Sequence, residues 1–65
     1  MQGKIVRVMG DKQFGFIRGI DGEDYFFHAS GLKNESFNQT LVDRTVSFEE
    51  TEGSKGLRAE EIWVD

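Results

Sequence analysis

"FGFIRGIDGEDYFFHA", residues 14–29, carries the decision on the fold. Two runs rich in aromatic and β-branched residues, 14–20 and 24–29, flank Asp21-Gly22, a dipeptide suited to a tight hairpin turn. In a strand, residues two apart share a face. Phe14, Phe16 and Arg18 therefore lie on one side, with Gly15, Ile17 and Gly19 on the other. An arginine sharing a face with two phenylalanines marks that face as wet, so Ile17 supplies the core. The next run repeats the arrangement. Asp24, Phe26 and His28 point one way, and Tyr25, Phe27 and Ala29 the other. The set that mixes an aromatic with polar groups goes outward. Tyr25 and Phe27 are then core, and the tyrosine hydroxyl needs a hydrogen-bond partner.

The two outward sets meet across the hairpin. They form one patch of Phe14, Phe16, Phe26 and His28, edged by Lys12, Arg18 and Asp24. An exposed aromatic patch is unfavourable in water and marks a binding surface. Rings edged by cations suit stacked bases with phosphates alongside.

Three further strand-like runs surround this hairpin, at 4–8, 44–51 and 57–64. The last two are separated by the glycine-bounded "GSKG" (53–56), which reads as a hairpin, too short for a phosphate loop. A long connection, Ser30 to Asp43, follows the third strand, and its start, "SGLKN", suits one short helical turn. The fold class expected is all-β, a closed or nearly closed five-stranded antiparallel barrel. Strand count does not separate an OB-type from an SH3-like barrel, but a long crossing between strands three and four is the OB-type arrangement. The first strand is undecided: Ile5 and Arg7 alternate with Val6 and Val8, and either set fits a core.

The chain of 65 residues allows one domain, expected over 1–65, and a core that buries only about 60% of the unfolded surface. It has no cysteine, hence neither disulfide nor thiolate chemistry, and His28 is its one histidine, which argues against a zinc site. No cofactor and no enzymatic activity are expected. The N-terminal "MQGKIVRV" lacks a leader's apolar run, and no stretch approaches the roughly 20 apolar residues of a membrane span. A cytoplasmic protein with no membrane partner is the expectation, with a monomer favoured. The net charge of −4 hides a polarity. Residues 1–20 set Lys4, Arg7, Lys12 and Arg18 against Asp11 alone, whereas 49–65 set six acids against Lys55 and Arg58. Glu49-Glu50 and Glu60-Glu61 should each split between opposite strand faces as solvated charge, and Trp63 reads as core or edge packing.

"KQFGFI" (12–17) followed by "YFFHAS" (25–30) resembles the paired ribonucleoprotein motifs of the bacterial cold-shock domain, K-G-F-G-F-I and V-F-V-H-F-S. "GKIV" (3–6), Phe37, Leu41 and "VSFEETEGSKG" (46–56) extend the resemblance along the chain. The resemblance implies an OB-type barrel that binds single-stranded RNA or DNA with little sequence preference and loosens RNA secondary structure. Position by position, it implies stacking by Phe14, Phe16, Phe26, His28 and Phe37. It implies phosphate contact by Lys12 and Lys55, and a base-edge or orienting role for Asp24. The departures mark a divergent member. Arg7 stands where the family has tryptophan, Ala29 replaces a phenylalanine, Gln13 replaces a glycine, and the proline expected near Leu57 is absent. Arg7 can recover part of the lost stacking, because a guanidinium plane stacks on a base and also meets phosphate. The competing reading is a small β-barrel protein-interaction module that uses the same patch.

Overall fold

The computed structural model describes residues 1–53 and 56–65. Five strands form: β1 (Gln2–Met9), β2 (Phe14–Gly19), β3 (Asp24–His28), β4 (Thr45–Gly53) and β5 (Gly56–Val64). They close into a barrel in the order β1-β2-β3-β5-β4. The connection after β3 holds two single 3₁₀ turns, Ala29–Gly31 and Gln39–Leu41, of which only the first is expected from the sequence. Asn38 explains it: its side-chain oxygen accepts from the Thr40 backbone N–H at 2.8 Å, capping the turn.

Four of the five strand junctions are antiparallel, and β3–β5 is parallel through Phe26 and Arg58. Topology requires this. An odd number of strands around a closed ring cannot alternate direction at every junction, so one pair must run the same way. The long connection lets β4 pair with β1, and β5 then returns beside β3.

The core is the inward set expected from β2 and β3, Ile17, Tyr25 and Phe27, joined by Ile5, Val8, Leu41, Val46, Phe48, Ala59, Ile62 and Val64. Strand β1 resolves its ambiguity with a bulge. Ile5 pairs with Ile17 but Arg7 pairs with Phe16, so Val6 is an extra residue without a partner on β2. The bulge reverses the parity, and Ile5 and Val8 both face inward while Arg7 faces out. A second register shift, between Ser47 and Glu49 on β4, falls opposite Glu61, whose φ is 52°. Glu60 and Glu61 consequently both stay outside, rather than splitting between faces. Trp63 is not core: Ile62 and Val64 take the inward positions and leave the indole 51% exposed, opposite Ser47.

The Tyr25 hydroxyl finds two partners, Asp21 Oδ2 at 2.6 Å and Glu50 Oε2 at 2.9 Å. Its hydrogen bond to Asp21, then burial, then Glu50 raise its pKa well above the ordinary 10.0. The folded state therefore holds this proton more tightly than the unfolded chain. That contribution is complete below pH 10.0 and is lost as pH rises through the folded value. Because the chain has one tyrosine, ultraviolet titration reads it alone. Little tyrosinate should form at pH 10 in the folded protein, and stability should fall above it. Half-ionisation near pH 10 without unfolding would contradict the contact.

Gln13 enters β2 with φ 55°, the left-handed region that a glycine takes without strain. The turn forms nonetheless, because its carbonyl accepts from the Ala29 N–H at 2.8 Å. Replacing Gln13 by glycine should stabilise the fold by about 1 kcal/mol, a rise of roughly 4–8 °C in Tm. Calorimetry of the two proteins checks this, and an unchanged or lower Tm would refute it.

Candidate nucleic-acid interface

Cross-strand pairing arranges the outer face of β1, β2, β3 and β5 in three rows. The central row runs Arg7, Phe16, Phe26, Arg58, one residue from each strand. On one side lies Met9, Phe14, His28, and on the other Lys4, Arg18, Asp24. The two phenylalanines at the centre are thus bracketed by arginines. The three outward rings, each half-buried, touch one another. Phe14 and Phe26 lie 5.3 Å apart at 32°, and Phe16 stands edge-on to both at 6.1 Å. Edge-to-face contact fixes the rings without outside help, so the patch is preformed.

Arg18 and Asp24 close one end of the patch with a two-point ion pair, Nε to Oδ1 at 2.8 Å and Nη2 to Oδ2 at 3.3 Å. The hydrogen bond from Arg18 holds the Asp24 carboxyl below its usual range. Both side chains are about half exposed, so the pair adds little stability and chiefly fixes the guanidinium. Of the two roles implied for Asp24, orienting a neighbour is the one this geometry supports. At the other end, His28 Nδ1 accepts from the Ser30 N–H at 3.1 Å. That bond assigns the ring proton to Nε2 and holds the imidazole against the first 3₁₀ turn.

Lys12 is exposed in the turn before β2, next to Phe14 in the chain order of the motif. Arg7 is exposed and stands opposite Phe16. Phe37 does not join the trio. Its ring packs on the buried Phe27, with centroids 6.2 Å apart, and is half-buried there. The role expected of Lys55 lies outside the described residues.

Three residues of this face escaped sequence reading, the first of them Lys4, which pairs with Arg18. Arg58 sets its guanidinium carbon 5.5 Å from the Phe26 ring centroid, a cation–π contact across the parallel junction. Alternation with Leu57 and Ala59 does point it outward, but only the barrel's closure brings β5 to β3. Met9 reaches Phe14 only because of the bulge at Val6.

A small closed barrel with an aromatic, arginine-flanked strand face is the architecture of a single-strand-binding OB domain. The profile described as the "'Cold-shock' DNA-binding domain" matches residues 1–64. "Cold shock protein CapB" of Pseudomonas syringae pv. tomato is 39% identical over 54 residues, 83% of this chain and 78% of that protein. "Cold shock-like protein CspD" of Bacillus cereus is 37% identical over 60 residues, covering 92% of this chain and 91% of its own length. "Cold shock-like protein CspLB" of Listeria monocytogenes is 38% identical over 52 residues, 80% of this chain and 79% of that protein. The chain belongs to the cold-shock domain family.

Proposed function

We propose that this protein binds single-stranded RNA or DNA across β2 and β3 and acts as a cytoplasmic RNA chaperone. Bases stack on Phe14, Phe16, Phe26 and His28; Arg7, Lys12 and Lys55 meet phosphates, and Arg58 adds a guanidinium plane beside Phe26. The observation that carries this reading is the row Arg7–Phe16–Phe26–Arg58, in which two rings are flanked by cations on neighbouring strands. A hydrophobic protein partner would gain from the rings but would have to desolvate the arginines. A stacked strand uses both. Duplex melting follows from mass action: the protein binds unpaired strands and withdraws them from the pairing equilibrium. No covalent step is involved.

Titration of a labelled single-stranded oligonucleotide of about seven bases tests the reading. Binding should be measurable at low salt, with a log–log salt slope of about −2 to −3, the value for three or four neutralised phosphates. The slope should be shallow because the flanking cations are few and the net charge is −4. No binding at low salt would overturn the function in favour of a protein partner. A slope several times steeper would overturn the stacking mechanism.

A further inference from the structure

Beyond the aromatic trio, a groove of about 180 Å³ runs between the first 3₁₀ turn and β5, lined by His28, Ser30, Lys33, Arg58, Glu60 and Glu61. Its near wall is shared with the patch, since His28 pairs with Phe14 and Arg58 sits on Phe26. A strand stacked on the patch therefore leads into it. Its charge is balanced: Lys33 Nζ lies 3.5 Å from Glu61 Oε1, and Arg58 Nε 3.5 Å from Glu60 Oε1. A phosphate would meet two carboxylates there and gain little. An uncharged heterocycle with a polar edge suits the groove better.

The donors and acceptors specify which edge. Arg58 Nε is hidden from solvent yet has no hydrogen-bond partner, so its approach to Glu60 is ionic without being a hydrogen bond. The Arg58 side chain is otherwise 44% exposed, so its remaining guanidinium N–H groups stand beside a carboxylate acceptor pair on the outer face of one strand. The Watson–Crick edge of guanine is the complement, an acceptor at O6 followed by two adjacent donors, N1–H and N2–H. The other bases present no two adjacent donor positions on that edge, so they cannot fill both oxygens of one carboxylate. Resting on the single-strand-binding function proposed above, we infer that this groove is a guanine-reading subsite, with Glu60 accepting from N1–H and N2–H and Arg58 donating to O6. The protein then has one position of base preference along an otherwise tolerant path.

The test is anisotropy titration of an oligothymidylate of about seven bases and of its single-guanine variants, one for each position. At one position guanine should tighten binding by about fivefold or more over thymine, adenine or cytosine. Hypoxanthine at that position, which lacks the 2-amino donor, should lose most of the gain. In Glu60→Gln the ratio of guanine to thymine affinity should fall toward one. Because each ratio is measured within one protein, a change in folding or net charge cancels. Binding of all variants with equal affinity by the wild type, or a preference undiminished in Glu60→Gln, would overturn the subsite and leave the general function standing. Failure of every oligonucleotide to bind would overturn both.

Discussion

Phe26→Ala is expected to weaken binding of a single-stranded oligonucleotide by about tenfold or more, the cost of one lost stacking platform. Phe26 stands at the centre of the face, paired with Phe16 on β2 and Arg58 on β5. It touches both other outward rings and carries the Arg58 guanidinium. Its removal therefore deletes a base platform and releases the arginine that completes the row. Few other single changes on this face combine the two. The fold should survive, because the ring is half-buried and lies outside the core. Loss of the ring–ring contacts should cost about 1 kcal/mol, a Tm drop of roughly 4–8 °C, so titration at low temperature compares folded proteins. Phe26→Leu separates the causes. It keeps apolar area but has no π face, and should bind nearly as poorly as the alanine variant. Binding by Phe26→Ala equal to wild type would show that the bases lie elsewhere.

Gly15→Ala is expected to be the most damaging conservative change in the barrel. Gly15 faces inward between β1 and β3, with Val8 and Phe27 as its cross-strand partners. A methyl group there would run into the Arg7 carbonyl oxygen and approach Cε1 of the fully buried Phe27 to 2.8 Å. Backbone on one side and a packed core ring on the other leave nothing free to yield. Overpacking of this kind costs about 2–3 kcal/mol, against the roughly 3–5 kcal/mol that a domain of this size has in total. The expected result is a Tm lowered by more than about 10 °C, or a largely unfolded chain at room temperature. Gly22→Ala is the control: an added Cβ meets nothing within 4 Å, although φ is 85°, so only the backbone cost applies. A Gly15→Ala protein as stable as wild type would mean that β1 and β2 pair differently from the register described.

That glycine links the two levels of the molecule. The same F-G-F spacing that turns Phe14 and Phe16 outward puts Gly15 where the barrel wall is tightest. Outward rings and close packing are consequences of one alternation.

The sequence alone determined the parts of this protein that depend on neighbours in the chain. Strand alternation is local, so the outward set Phe14, Phe16, Arg18, Asp24, Phe26 and His28 and the inward set Ile17, Tyr25 and Phe27 were legible from 14–29. The hairpin joined them into one patch without further information. What lay beyond it depended on pairings between distant segments. A bulge leaves no mark in a run such as "KIVRVM", where every residue suits a strand, so the direction of Arg7 and Met9 was set only by pairing with Phe16 and Phe14. The outward exposure of Trp63 and of both Glu60 and Glu61 followed in the same way from the irregular pairing of β4 with β5. Arg58 reached Phe26 because five strands in a ring require one parallel junction, and the packing of the Phe37 ring on Phe27 likewise joins segments apart in the chain. The local period of two residues chose the face, and closure of the barrel chose which arginines flank it.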